Sequence, residues 1–106
     1  MKYQIIDRVM YCYFDGEFDY QHIATIKNYV ISLIEEATNV NRIIFDFEEI
    51  TFVDSTGIGF VIARYKQCCA LCKTLEIANL SKENRIIFEM SGIFQIIKSV
   101  DNGVKL

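Results

Sequence analysis

The sequence predicts an α/β domain with a mixed, mostly parallel sheet of four to five strands and about three helices packed on it. Apolar runs of strand length alternate along the chain with segments whose apolar residues recur at helical spacing. The chain has 106 residues, which is enough for one hydrophobic core, and hydrophobic residues make up 52% of it. We therefore expect residues 1–106 to form a single domain.

The first predicted elements are two strands and a helix. Residues 3–7 and 9–14 are rich in β-branched and aromatic side chains, and Asp15-Gly16 is expected to end the second strand. After Asp19 the apolar period changes to that of a helix, for which Asp19 is a suitable N-cap. This helix is expected to end at residues 38–39.

The middle of the chain predicts a strand, a helix and a further strand. Residues 42–47 are short, β-branched and aromatic, as in a buried strand, and Glu48-Glu49 is expected to form a polar turn. Residues 50–53 then return apolar groups to the core. Apolar residues at helical spacing over 58–69 predict the second helix, and residues 74–78 predict the next strand.

The last predicted elements are a third helix and a short strand. Ser81 can cap this helix, and Gly92 suits the position after its end. Residues 94–100 are expected to form the final strand. In a largely parallel sheet, partners and ligands meet the loops at the carboxyl ends of strands. Two acidic loops are expected there, at residues 15–19 and 54–57, and each leads into a helix.

Charge and hydropathy exclude several classes of function. The net charge is −3 and no basic cluster occurs, so a nucleic-acid footprint is absent. No apolar run approaches the length of a membrane span. The N-terminal segment reaches Asp7 too early for a secretory signal. We therefore expect a cytoplasmic protein that binds neither nucleic acid nor membrane.

The cysteines leave two interpretations open. Cys69 and Cys72 form a C-x-x-C pair, a spacing that occurs in redox and metal sites. A zinc site needs about four ligands, and the single histidine, His22, is far away in the sequence. The alternative is that Cys68, Cys69 and Cys72, late in a helical pattern, act as small hydrophobic residues. We favour this structural interpretation and predict no metal and no cofactor.

The segment Asp54-Ser55-Thr56-Gly57 is a turn that enters the second helix. One interpretation is that Ser55 or Thr56 only caps the helix, since hydroxyl caps are common. The other is that an exposed hydroxyl here accepts a phosphoryl group, which a helix N-terminus can hold. In that case Gly57, Ile58 and Gly59 would offer a partner a surface of small residues with one apolar side chain.

At this segment the sequence resembles the STAS domains of bacterial anti-sigma-factor antagonists. Residues 52–62, FVDSTGIGFVI, are similar to the family's signature, and residues 16–19, GEFD, to its Gly-Glu-Leu-Asp loop. Residues 64–67, RYKQ, and 88–97, FEMSGIFQII, resemble two further stretches of the sporulation member. The four motifs keep a consistent order and spacing over nearly the whole chain, so the resemblance is far more specific than one Asp-Ser-Thr-Gly.

The resemblance implies a mechanism. The unphosphorylated protein would bind an anti-sigma factor that is also a serine kinase, and would so release the sigma factor. The kinase would use ATP to phosphorylate the serine after the motif's Asp, here Ser55, and the modified protein would dissociate. A PP2C-type phosphatase would restore it. The resemblance places the partner contacts at Asp54, Thr56, Gly57, Ile58 and Gly59, with Glu17 and Asp19 in the neighbouring loop.

The sequence departs from the family in two loops. Cys72-Lys73 stands where relatives often have Gly-Gly, so a non-glycine residue would be strained if that turn needs a positive φ. Ser81-Lys82 replaces the usual Ser-Pro before the third helix, where proline is favoured but not required. Both differences concern loop geometry and neither touches the Asp54-Ser55 segment.

Two other functions compete with this hypothesis. A STAS scaffold or transporter-associated module would use the same fold to bind a partner without a phosphorylation cycle. A small enzyme would need Ser55 within hydrogen-bond reach of His22, with Asp19 or Glu17 as a further group. The sequence contains no P-loop, because Gly57-x-Gly59 is too short and lacks the lysine. We therefore predict a regulatory binding protein and not an enzyme.

Overall fold

A computed structural model describes residues 1–100 of the chain. Five strands and three helices alternate in the predicted order, and a short 3₁₀ helix precedes the last strand. The strands are β1 (Lys2–Ile6), β2 (Val9–Phe18), β3 (Arg42–Val53), β4 (Thr74–Ala78) and β5 (Lys98–Val100). The helices are α1 (Tyr20–Glu36), α2 (Ser55–Ala70) and α3 (Lys82–Met90), with the 3₁₀ helix at Ile93–Gln95.

The strands form one sheet in the order β1-β2-β3-β4-β5. The β1–β2 pair is antiparallel and the other three pairs are parallel, so the predicted mixed, mostly parallel sheet is confirmed. The register pairs Phe18 with Val53, the last residues of β2 and β3. Because only one residue separates each of these strand ends from the helix that follows it, α1 or α2, the sheet places both helix N-termini side by side.

One face of the sheet carries the main core. Apolar residues of all three helices pack with alternate residues of the strands in this core. At its centre is a group of phenylalanines in mutual ring contact, namely Phe14, Phe18, Phe45, Phe47, Phe60 and Phe88. A second, smaller cluster around Tyr11, Ile44 and Ala78 contains the neighbouring strand positions and covers the opposite face. Successive side chains of β2 therefore point alternately into the large core and into the smaller cluster.

Three predicted element boundaries are wrong. Asp15-Gly16 does not end β2, which continues to Phe18 with register irregularities beside these residues. Glu48-Glu49 is not a turn, because β3 runs through it as part of an irregular pairing. A buried carboxylate, that of Asp46, supports the path here by accepting from the Glu48 N–H at 2.9 Å. The predicted strand at residues 94–100 is a 3₁₀ turn followed by the short β5.

The predicted helix boundaries agree more closely with the structure. The Asp19 side chain caps α1 and the Ser81 side chain caps α3. Gly92 follows α3 at φ 78°, the left-handed conformation expected after a helix end. Cys72 has φ 58°, so the turn does impose the left-handed backbone on a non-glycine residue. Lys73 beside it donates to the carbonyls of Ile34 and Ala37 at the end of α1.

The cysteines divide into two groups. Cys12 and Cys68 are buried, and burial raises the pKa of their thiols to about 12 and about 11. Cys69 and Cys72 are exposed, so the interpretation as small core residues holds for Cys68 but is wrong for these two. Within residues 1–100, no group of three or more His, Cys, Asp or Glu side chains is placed to hold a metal ion.

Candidate functional site

The N-termini of α1 and α2 lie next to each other and are both capped by aspartate. Asp19 Oδ1 accepts from the backbone N–H of His22 at 3.0 Å. Asp54 Oδ1 accepts from the backbone N–H of Gly57 at 3.0 Å. Each carboxylate satisfies one of the unpaired N–H groups at the start of its helix and carries its charge near the positive end of the helix dipole.

Asp54 also joins the two helices. Its second oxygen, Oδ2, accepts from the backbone N–H of Tyr20, the first residue of α1, at 3.2 Å. Its own N–H donates to the carbonyl of Phe18, the last residue of β2, at 3.4 Å. The carboxylate is thereby fixed between the two helix N-termini, through a hydrogen bond that joins residues 34 positions apart in the chain.

The expectation that Ser55 or Thr56 caps α2 is wrong, because Asp54 holds that position. Ser55 is the first helical residue and is exposed. Its hydroxyl makes no hydrogen bond within the part of the chain that the structure describes. The aspartate cap therefore leaves the serine hydroxyl available to another molecule.

Gly57 is buried where the start of α2 lies against the end of β2. A Cβ atom at Gly57 would lie 2.2 Å from the carbonyl oxygen of Phe18 and 2.7 Å from its ring. At Gly59, by contrast, a Cβ would meet nothing within 4 Å. The first glycine is therefore required by the contact between the two elements, and the second is open to the surface.

Ile58 was expected to offer an apolar side chain to a partner, and the structure corrects this. Ile58 is only 6% exposed and belongs to the main core. Glu17, Ser55 and Gly59 are exposed, while Asp19, Asp54 and Thr56 are partly exposed. The predicted contact residues thus separate into an accessible group and a buried pair, Gly57 and Ile58, that holds the start of α2 in place.

Two exposed aromatic side chains lie beside this surface, in addition to the partner-binding residues that the resemblance implies. Tyr20 is 71% exposed and Phe52 is 48% exposed. Phe52 pairs in register with Glu17 across β2 and β3, close to the end of both strands. No sequence pattern distinguishes Phe52, because it lies in an apolar run that predicts core residues.

His22 interacts with Asp19 and not with Ser55. His22 Nδ1 lies 2.7 Å from Asp19 Oδ1. The backbone N–H and the ring of His22 lower the pKa of Asp19, and the Asp19 carboxylate raises the pKa of His22. The hydrogen bond between Ser55 and His22 that an enzyme of this kind would require does not occur among residues 1–100.

The surface around Ser55 is therefore acidic and partly aromatic. Three carboxylates, those of Glu17, Asp19 and Asp54, lie around the two helix N-termini. Of the described helices, none has both the length and the hydropathy needed to cross a membrane. A free hydroxyl on a fixed helix N-terminus, next to accessible acidic and aromatic groups, is suited to recognition by a protein partner.

The fold matches several solved structures that are less than 25% identical in sequence. SpoIIAA, an anti-sigma factor antagonist, aligns in its unphosphorylated form with a TM-score of 0.71 at 24% identity, over 94% of this chain and 86% of SpoIIAA. The Thermotoga maritima protein TM1081 aligns with a TM-score of 0.86 at 16% identity, over 94% and 85% of the two chains. A sulfate transporter family protein from Wolinella succinogenes aligns with a TM-score of 0.72 at 17% identity, over 87% and 73%.

Sequence comparison gives a more specific result. The anti-sigma F factor antagonist of Lysinibacillus sphaericus is 31% identical over 78 residues, which are 74% of this chain and 66% of that protein. This chain therefore spans just under two thirds of the relative's length. Residues 1–105 match the model of the STAS domain. With nearly the whole sequence matched and the fold in agreement, the chain belongs to the STAS domain family.

Proposed function

We propose that this protein is an anti-sigma factor antagonist. Its unphosphorylated form binds an anti-sigma factor that is also a serine kinase, and phosphorylation of Ser55 by that kinase ends the binding. The observation that carries the proposal is the division of roles at the start of α2. Asp54 caps the helix through Gly57, so the exposed Ser55 hydroxyl is not needed by the fold.

The electrostatics of the site support a switch by charge. A phosphoserine carries about −1.5 to −2 charges. The positive end of α2 can hold that charge locally, so the fold need not change. The added charge would lie among Glu17, Asp19 and Asp54, where like charges repel. A partner that packs closely against the neutral surface would then lose affinity.

The contact surface of the proposal follows from exposure. Glu17, Asp19, Asp54, Thr56 and Gly59 are accessible and would touch the partner directly. The exposed rings of Tyr20 and Phe52 would add apolar contact, since aromatic residues are enriched in interfaces. Gly57 and Ile58 would act indirectly, by holding the helix N-terminus against β2.

The relatives support the same cycle. Proteins that resemble this chain include an anti-sigma F factor antagonist and SpoIIAA, which is also known in a phosphorylated form. We further propose that a PP2C-type phosphatase reverses the modification and that the cycle takes place in the cytoplasm. In this cycle the protein is a substrate of another protein's active site and catalyses no reaction itself.

The proposal is tested by phosphorylation with the cognate anti-sigma kinase and ATP. Mass spectrometry should detect one added phosphate on the wild-type protein, and none on Ser55→Ala. Thr56→Ala is the matched control, because Thr56 is the adjacent hydroxyl, and it should accept phosphate as the wild type does. Equal phosphorylation of Ser55→Ala would show that Ser55 is not the acceptor.

The effect on binding is tested separately by calorimetry. Authentic Ser55 phosphoprotein should bind the kinase more weakly than the unmodified protein. Ser55→Asp should lose about 1–3 kcal/mol of binding free energy, roughly 5- to 150-fold in Kd, as expected for an uncompensated charge at an interface. Undiminished affinity of the phosphoprotein would contradict the switch.

A second candidate is a transporter-associated STAS module. The fold match to the sulfate transporter family protein from Wolinella succinogenes favours it, because both functions use this fold. Such a module would bind its partner without a phosphorylation cycle. Pull-down of a transporter subunit in place of a kinase, together with no phosphate transfer to Ser55, would select this function.

A further inference from the structure

A groove lies between α1 and α2 and shares Thr56 and Gly59 with the surface around Ser55. Its volume is about 370 Å³, within the range of small-ligand sites. Residues of both helices line it: Ile23, Lys27, Thr56, Gly59, Phe60, Ala63 and Arg64. Gly59 leaves it open, because a Cβ at this position would meet nothing within 4 Å.

Arg64 lies in this groove without a hydrogen-bond partner. Arg64 is only 9% exposed, and its Nε and Nη1 atoms are buried with no acceptor within the described residues. The guanidinium lies over the ring of Phe60, 5.1 Å from the ring centre. A cation–π contact attracts the charge but accepts none of its hydrogen bonds. Buried polar groups are nearly always paired, so an arginine without an acceptor in the wall of a groove favours a ligand that brings acceptor atoms to this place.

No group within the described residues neutralises Arg64. Cys68, four residues further along α2, interacts electrostatically with Arg64, but burial raises the pKa of its thiol to about 11, so it is uncharged near neutral pH. Burial also lowers the pKa of Arg64, yet a guanidinium remains protonated at physiological pH. Lys27 adds a second cation to the lining, and no acidic residue belongs to it. The net charge of the chain is −3, so this local excess of positive charge is unusual for the molecule.

The remaining walls determine what kind of anion fits. Ile23, Phe60 and Ala63 give the groove an apolar side, and the backbone at Gly59 leaves room beside it. An inorganic anion would leave this apolar side in contact with water. A guanidinium binds a carboxylate through two parallel hydrogen bonds, and the pair Nη1 and Nη2 of Arg64 offers such a fork.

We propose that the groove between α1 and α2 binds a small organic carboxylate, with the carboxylate on Arg64 and Lys27 and a short apolar body against Ile23, Phe60 and Ala63. Binding at this site requires no phosphorylation of Ser55. Thr56 and Gly59 line the groove and also belong to the accessible surface around Ser55. A carboxylate bound in the groove would therefore contact residues of that surface.

The test is an NMR titration of the full chain with hexanoate, with hexanol as its uncharged counterpart. Hexanoate should shift the amide signals of the groove residues, and hexanol should bind at least tenfold more weakly. Arg64→Gln should weaken hexanoate binding at least tenfold, and Lys27→Gln about two- to fivefold. Lys66→Gln is the matched control, because Lys66 is an exposed cation of the same helix outside the groove, and it should bind as the wild type does.

A second variant protects the test against misfolding of Arg64→Gln. Gly59→Val keeps every charge and fills part of the groove, so it should also weaken hexanoate at least tenfold while the folded circular dichroism spectrum is retained. The proposal is overturned if hexanoate fails to bind or binds Arg64→Gln as tightly as the wild type. It is also overturned if inorganic phosphate or an acetylated glutamate-containing tetrapeptide binds as tightly as hexanoate, since the apolar walls or the small-molecule assignment would then be wrong.

Discussion

The N-termini of α1 and α2 have the same local design and different connections. In each, an aspartate accepts from the backbone N–H three residues later. Asp19 directs the same oxygen to the ring of His22, in its own first turn. Asp54 directs its second oxygen to Tyr20 of the other helix. The Asp19 cap therefore interacts only within its own helix, whereas the Asp54 cap also fixes the helix that carries Ser55 against α1.

The largest effect is expected where α2 touches β2. Gly57→Ala would place a Cβ 2.2 Å from the Phe18 carbonyl oxygen, so α2 must shift. We expect it to lower the free energy of unfolding by up to about 3 kcal/mol, as overpacking does. Urea denaturation followed by circular dichroism measures this loss.

Gly59→Ala is the matched control for that experiment, because a Cβ at Gly59 meets nothing within 4 Å. The higher helix propensity of alanine should leave stability unchanged or raise it by up to about 1 kcal/mol. Equal losses in both variants would mean that a general cost at the start of α2 is responsible, and not the contact with Phe18.

The second effect concerns the two caps themselves. Asp54→Ala removes the cap and the link to Tyr20, and should cost about 1–2 kcal/mol of unfolding free energy. Asp19→Ala removes a local cap and should cost about 0.5–1 kcal/mol. Thermal unfolding of the two variants side by side measures the difference. If both lose the same amount, the bond from Asp54 to Tyr20 contributes nothing to stability.

The smallest effect is the pH dependence of the local pair. Asp19 raises the pKa of His22 above its ordinary value of 6.5, so the pairing contributes in full below about pH 6.5 and is lost as the pH rises through the raised value. On the acid side, the lowered pKa of Asp19 means that its contribution is present above about pH 3.8 and is lost as the pH falls through the lowered value.

NMR titration of the ring of His22, the single histidine, tests this pair without ambiguity. Asp19→Asn should bring the pKa of His22 down toward 6.5, while Asp54→Asn should leave it unchanged. A value unaffected by Asp19→Asn would show that the raised pKa has another cause.

Local patterns predicted most of the fold. The alternation of apolar periods was sufficient for the order of five strands and three helices, because each element is decided by its own sequence. Asp19, Ser81 and Gly92 were assigned to helix ends for the same reason, since a cap interacts with residues three or four positions away. At the site, the motifs around Ser55 that resemble the STAS family led to the prediction that this segment is functional.

Features that depend on a neighbouring strand or helix could not be predicted in this way. The β3 strand continues through Glu48-Glu49 because β2 pairs alongside it, although two glutamates favour a turn. Ile58 was expected to be exposed and is buried, whereas Phe52 was expected in the core and is exposed. The packing of α2 and the irregular end of β3 explain both differences. The groove at Arg64 also needs two helices to exist, and a motif that contains this arginine gives no indication that its donors are unpaired.

The sequence by itself determined the fold, its family and the serine at the start of α2. The tertiary structure decided how that serine is presented. Parallel pairing of β2 with β3 brings Phe18 next to Val53, and this adjacency lets Asp54 cap one helix while holding the other. The identity and spacing of residues are local properties. The Ser55 hydroxyl is left free because another side chain, that of Asp54, accepts from the N–H group at the start of α2. The groups that hold Asp54 in place come from strands and helices that only folding brings together.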